Sequence, residues 1–323
     1  MKTKFAIGCL VQWYEIEMVN EYIMSIEQSL KRINNKENVI VDFTLVTNQD
    51  LEKITEEMTI GEIEDKFKSM LHQSDIFDNI SFKITDRLIT IADYRRWFND
   101  YYCDKVDVLM WGESDSLIPK QTFEILDNLH QQVSNQTPKY IATFGINKMW
   151  DDSWKVLEHT DFTDKPFITG DTKNWWSIPY TMSLDEMNKF NDKVDELDVT
   201  LVNPHKFNGC GLVISSEVIK AGVNIPKSSF FINEDTSFML MTQKVLGDIP
   251  QYHFKNILIV HNRKHPKKRV CILGENDVNY IDDNRKINEW YVKANEFCKM
   301  NNHNLFNPNF KFYTWEDVWK NIK

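Results

Sequence analysis

A chain of 323 residues with 42% hydrophobic content, 10 Trp, 11 Tyr and 20 Phe carries enough apolar material for one large packed domain or two small ones. Its 48 acidic residues outnumber 38 basic ones, a formal charge of -10, which argues against a general nucleic-acid binder and leaves open only a local basic groove. The cysteines Cys9, Cys103, Cys210, Cys271 and Cys298 form no C-x-x-C pair, so neither a disulfide framework nor a zinc knuckle is expected.

The apolar run near the amino terminus is too short for a secretory signal, and no stretch of about 18 apolar residues exists to span a membrane. A soluble, cytoplasmic protein is the expectation. Richness in Asn, Lys and Ile points to an AT-rich genome, bacterial or viral.

In chain order, residues 5–11 read as a first strand. A helix follows over 14–33, with Ile16, Val19, Ile23, Ile26 and Leu30 at helical spacing. Strand 39–46 ends at Thr47-Asn48, and an acidic helix is expected over 51–71. Strand 80–84 ends at Thr85-Asp86, helix 91–102 carries Arg95 and Arg96, and strand 106–111 is the fourth. Helix 122–133 and strand 140–144 complete five strand–helix alternations with short connections. That rhythm predicts an α/β domain with a mostly parallel sheet flanked by helices. From 149 to 180 the periodicity fades, and Trp150, Trp154, Trp175 and Trp176 sit among polar residues, the texture of a binding loop or lid inserted in the domain. Strand 211–214, helix 216–221, helix 236–245 and strand 257–260 resume the pattern. A helical tail over 284–298 and a last segment, 310–322, are expected to pack back through Trp315 and Trp319.

No P-loop, no G-x-G-x-x-G after the first strand, no G-x-S-x-G and no H-E-x-x-H is present, which weighs against NTPases, dinucleotide-dependent dehydrogenases, serine hydrolases and zinc proteases. The most informative stretch is the apolar run that ends in Glu113-Ser114-Asp115. If the run is a strand, residues i and i+2 share a face, and both carboxylates converge at its carboxyl end, where open α/β sheets bind ligands. Hard cations such as Mg²⁺ or Mn²⁺ take oxygen ligands and often bridge to phosphates, so the site reads as a metal–diphosphate platform; a solvated strand end bearing two charges is the plainer alternative.

Other polar groups follow strand ends in order: Gln12-Trp13-Tyr14-Glu15, Asn48, Asp86-Arg87, Asn208-Gly209-Cys210-Gly211 before a later strand, Asn233-Glu234-Asp235, and His261 leading into the basic run Arg263-Lys264-His265-Pro266-Lys267-Lys268-Arg269. This order resembles the GT-A class of nucleotide-sugar glycosyltransferases, its family-2-type members above all, over residues 4–269. The resemblance implies a donor, UDP-linked, held by Gln12, Trp13, Asn48, Asp86, Ser114, Arg95 or Arg96, Arg263 and Lys264. It implies Mn²⁺ or Mg²⁺ on Asp115, Glu113 and His261, with Glu113 in place of the first Asp of the family's D-x-D. It implies a general base at Asp235 or Glu234, with Asp235 preferred. The acceptor is expected over Trp175, Trp176, Asn208 and Gly209, as a glycan or a modified nucleic-acid base. The expected organisation is a catalytic domain over 1–269, with a nucleotide-sugar half over 1–147 and an acceptor half over 148–269, followed by a helical extension over 270–323.

Each feature has a plainer reading. Glu234-Asp235 can be an acid pair serving a helix dipole, His261 a strand-end histidine, Arg95-Arg96 a solvated helix face, the basic run a surface loop, Asn208–Gly211 a turn, and the Trp-rich segment core. Nucleotidyl transfer, which also uses paired carboxylates with metal, and a non-catalytic carbohydrate- or partner-binding protein remain the alternatives.

Overall fold

The computed structural model describes residues 2–51, 58–146, 182–202, 209–261 and 289–322. The expected sites at Trp175, Trp176, Asn208, Arg263 and Lys264, and the Trp-rich segment from 149 to 180, lie outside these residues.

β1 (Phe5–Gln12), β2 (Val39–Val46), β3 (Ile80–Thr85) and β4 (Val108–Glu113) run parallel. α1 (Ile16–Leu30), α2 (Ile60–His72) and α3 (Ile91–Tyr102) link them in turn, and α4 (Thr122–Val133) follows. β1 and β2 are buried almost throughout, as an unbroken apolar run demands when helices cover both faces. Along β1, Phe5, Ile7, Cys9 and Val11 join one core with Val19, Ile23 and Phe123, while Ala6 and Leu10 join another with Tyr94, Phe98, Trp111 and Phe238. Thr59 with Glu62 and Thr90 with Asp93 form capping boxes that start α2 and α3. The described part of the helix expected over 51–71 therefore begins at Ile60; residues 52–57 are not described.

The second half supplies β5 (Ser116–Leu117), β6 (Ile141–Ile146), β7 (Val199–Leu201), β8 (Val213–Ser215) and β9 (Gln251–His261), with α5 (Leu184–Asn191), α6 (Ser216–Lys220) and α7 (Glu234–Leu246). Among the described residues the sheet has nine strands in the order β3-β2-β1-β4-β8-β6-β9-β5, with β7 on β9. β8 runs antiparallel to both β4 and β6, and β6 is parallel to β9. β1 to β4, β6 and β9 thus all point one way, and the expected mostly parallel sheet is present.

Boundaries moved where local geometry intervened. β8 starts at Val213, because Gly211 adopts φ +67 and turns the chain. β9 begins at Gln251, six residues before the apolar run at 257, because Gln251 pairs with Ile141 and the ladder shifts register after Phe144. α7 starts at Glu234 behind Asn233, whose φ of 62 lies in the left-handed region that Asn tolerates better than most residues.

α8 (Glu289–His303) and α9 (Trp315–Asn321) pack on the segment before α7. Phe230 meets Trp315 with ring centroids 5.2 Å apart, and Phe231 meets Trp290 at 5.5 Å. Asn302 Nδ2 donates to the carbonyl of Asn233 at 3.2 Å and Ser237 Oγ donates to Asn302 Oδ1 at 2.5 Å, so the tail braces the turn that carries Glu234. Trp315 packs back as expected, whereas Trp319 stacks on it and stays 39% exposed. Among the described residues no helix is long and apolar enough to cross a membrane.

Candidate active site

β4 is apolar until its last residue, Glu113, and Ser114-Asp115 form the turn into β5. Strand alternation is therefore not what aligns the two carboxylates, contrary to the i, i+2 expectation; the turn carries Asp115 round. β5 pairs antiparallel with the end of β9, setting Ser116 opposite His261. That pairing delivers the imidazole to both acids. His261 Nε2 lies 3.0 Å from Glu113 Oε2 and 2.8 Å from Asp115 Oδ2. Asp115 and His261 are buried, while the Glu113 side chain keeps 21% exposure, so the cluster has one open side.

Arg95, on α3 and 1% exposed, reaches into the same cluster. Its Nη2 lies 2.6 Å from Glu113 Oε1, its Nη1 lies 2.5 Å from Glu234 Oε1, and Nη2 also donates to the carbonyl of Gly209 at 3.1 Å. Its guanidinium sits 4.8 Å from the centroid of the Trp111 ring. A buried cation between two carboxylates is held by charge-assisted hydrogen bonds in low dielectric. Burial works against the charge of Glu113, but His261 and then Arg95 more than offset it and hold the carboxyl down to about 2. Glu234 goes the other way: burial pushes it up to about 7, Arg95 opposes, and the neighbouring Asp235 adds to the rise.

Glu234 and Asp235 occupy the first turn of α7, so the helix-dipole reading of the pair is met alongside any chemical one. Asp235 Oδ2 accepts the N–H of Gly209 at 3.1 Å and Oδ1 accepts the N–H of Thr236 at 2.6 Å. Its carboxyl is raised above the usual carboxylate range, chiefly by burial.

The expected donor residues fall into two groups and one outlier. Ser114 Oγ donates to Glu15 Oε2 at 2.9 Å, and the backbone N–H of Gln12 donates to the same oxygen at 3.3 Å, so the loop after β1 is tied to the acid turn, with Trp13 buried beside it. Asn48 Nδ2 donates to the carbonyl of Asp86 at 3.0 Å, joining the ends of β2 and β3. Arg96 is the outlier. Its Nε donates to Ile225 O at 2.8 Å, Nη2 to Pro226 O at 3.0 Å and Ser229 O at 2.7 Å, and Nη1 pairs with Asp93. It braces the 225–229 loop, apart from the Arg95 cluster.

Sequence reasoning missed Cys210. Its sulfur joins Glu113 and His261 in a group whose ligand atoms all lie within 4.8 Å of one another. The only signal was its place between two glycines in Gly209-Cys210-Gly211, which gives no chemistry by itself. It also missed Glu15 as the anchor of Ser114.

No family model and no curated protein matches the sequence. Solved structures do match. The crystal structure of GalNAc-T7 with UDP, GalNAc and Mn²⁺ aligns over 98% of this chain and 53% of that one, at 8% identity and a TM-score of 0.52. The fold is of the GT-A type. The chain spans about half the length of the GalNAc-T7 chain it matches. The crystal structure of S. aureus TarS 1-349 aligns over 94% of this chain and 72% of that one, at 11% identity and a TM-score of 0.47. In this GT-A fold the carboxyl ends of β1, β2, β3, β4 and β9 lie along one edge, which collects Gln12, Asn48, Asp86, Glu113 and His261 from distant parts of the sequence. That edge is where ligands of open α/β sheets bind.

Proposed function

We propose that the chain is a metal-dependent glycosyltransferase that moves a sugar from a nucleoside-diphosphate donor, UDP-linked, to a hydroxyl of a glycan or of a modified nucleic-acid base. One observation carries the reading: Glu113, Asp115 and His261 converge with Arg95 and Glu234 at the carboxyl end of β4. GalNAc-T7, which shares the fold, was crystallised with UDP, GalNAc and Mn²⁺, and this supports the choice of donor and ion.

The residues fit a divalent cation. His261 Nε2 faces one oxygen of each acid, so two carboxylates, which suit Mn²⁺ or Mg²⁺, lie together with an imidazole. A bound cation would neutralise charge on the departing diphosphate. Around it, Gln12, Trp13, Ser114, Asn48 and Asp86 hold the nucleoside side of the donor, and Arg263 and Lys264 are assigned to its phosphates by sequence alone. Arg95 acts as a positioning residue: it fixes Glu113 and Glu234 and spends its charge on them. Asp235, less buried than Glu234, takes the proton of the acceptor hydroxyl, and burial, which raises its affinity for protons, favours that role. Glu234 supports it through Arg95. Trp175, Trp176, Asn208 and Gly209 form the acceptor side. In this reading residues 1–147 are the donor half, 148–269 the acceptor half and 270–323 an extension.

The test is a thermal-shift panel of nucleoside diphosphates and nucleotide sugars with and without Mn²⁺. A metal-dependent rise with one nucleotide identifies the donor; no shift with any of them ends the proposal. Release of pyrophosphate rather than a nucleoside diphosphate during turnover would reassign the chain to nucleotidyl transfer.

A further inference from the structure

The strongest unabsorbed feature is the thiol at the metal-binding cluster. Cys210 is buried, its sulfur lies 3.1 Å from Ser116 Oγ, and it shares the mutual 4.8 Å grouping with Glu113 and His261. Three donor types, carboxylate, imidazole and thiol, meet there from β4, β9 and the turn before β8. Asp115 touches His261 but is not a member of that group.

The loop that carries Cys210 is fixed on both sides. A Cβ at Gly209 would run into the Arg95 guanidinium, and one at Gly211 would come within 2.5 Å of Ile259 Cδ1 at a φ of +67. The N–H of Gly209 is held by Asp235, the N–H of Gly211 by the carbonyl of Trp111 at 3.0 Å, and Trp111 N–H donates to Leu212 O at 2.9 Å. Glycines on both sides let the backbone press against the cluster and leave one side chain, the thiol, at it. A buried cysteine whose role is only to fill space needs no such clamp beside two ionisable ligands.

We propose that Cys210 is a ligand of the cation and that it tilts the site towards borderline, sulfur-tolerant metals such as Co²⁺ and Zn²⁺ and away from Mg²⁺. The proposal rests on the metal reading above and refines it. Thiolate and imidazole favour softer ions, whereas an all-oxygen set would favour Mg²⁺. Burial, with Glu113 adding to it, holds the free thiol protonated. A metal–sulfur bond would form as the S–H proton leaves to solvent.

Cobalt is the probe, because a thiolate ligand gives Co²⁺ a near-ultraviolet sulfur-to-metal band distinct from its visible ligand-field bands. The 323-residue chain loaded with Co²⁺ should show both, and Cys210→Ser should lose the near-ultraviolet band while equilibrium dialysis still finds Co²⁺ bound. Binding of Co²⁺ to the wild-type protein without the near-ultraviolet band overturns the sulfur ligand and leaves the metal site standing. No binding of Co²⁺, Mn²⁺ or Zn²⁺ overturns both. Absence of the band in the wild-type protein overturns the ligand by itself, and if Cys210→Ser fails to fold, loss of the band in Cys210→Ala, with a circular-dichroism check, assigns it to Cys210.

Discussion

Arg95 and Glu234 meet between α3 and α7, Nη1 to Oε1 at 2.5 Å, and through this contact the acid turn after β4 is joined to the start of α7. Arg95→Met would leave the half-buried Glu113 and the buried Glu234 without their shared cation. Removing one member of such a group costs about 3–5 kcal/mol, far more than the net worth of the pair. Urea unfolding should show that loss, and Arg95→Met/Glu234→Gln should recover part of it. A single variant as stable as the wild type would show that the guanidinium does not hold the two acids.

Stability should also depend on pH through Glu234. Its carboxyl, pushed up to about 7, binds a proton more tightly in the folded chain than in the unfolded one. Its contribution to stability is therefore full below the usual carboxylate range and is lost as pH rises through about 7. Glu113, held down to about 2, has the opposite sign: its contribution is present above the usual carboxylate range and is lost as pH falls towards that value. In metal-free protein, melting temperatures followed between about pH 5 and 8 should fall, and Glu234→Gln should flatten the fall. Superimposable wild-type and variant profiles would remove Glu234 from the account.

Asp235→Asn keeps an oxygen for the N–H of Gly209 and removes the proposed base. The turnover rate should drop by roughly 10²–10⁴-fold, with little change in donor KM, as expected for a lost proton acceptor. Steady-state rates of donor consumption measure both parameters. A rise in KM with unchanged kcat would instead make Asp235 a binding residue.

Chelation offers a test that needs no substrate. If the chain binds Mn²⁺ as proposed, a concentration of 100 times Kd should add about 2.7 kcal/mol to stability, and the gain should vanish with EDTA. Asp115→Ala and His261→Ala should each abolish the Mn²⁺-dependent rise in melting temperature. A rise of full size in both variants would place the cation elsewhere.

Much of the frame was legible because its signals are local. β1 and β2 announce themselves as apolar runs, α1 through the spacing of Ile16, Val19, Ile23, Ile26 and Leu30, and α3 was expected over its observed span, 91–102. Glu113, Asp115 and His261 were legible as strand-end groups, and the structure brings them together. What stayed hidden depends on pairing between distant segments. β5 and β7 are too short to carry a pattern, and β9 is extended by its ladder with β6. Arg95 and Arg96 are adjacent and alike in sequence, yet a helix turns successive side chains about 100° apart. One faces the acids, and the other faces the carbonyls of the 225–229 loop. Cys210 became a partner of Glu113 only through the turn at Gly211.

The placement of β8 bears on how the molecule is made. Its three residues, Val213–Ser215, slot between β4 and β6, both of which are synthesised long before it. Until residue 213 has left the ribosome, β4 keeps an open edge in the middle of the future sheet, a template for wrong pairing. Closure of the sheet thus waits on a late-arriving keystone, and such non-local closure should make folding slow.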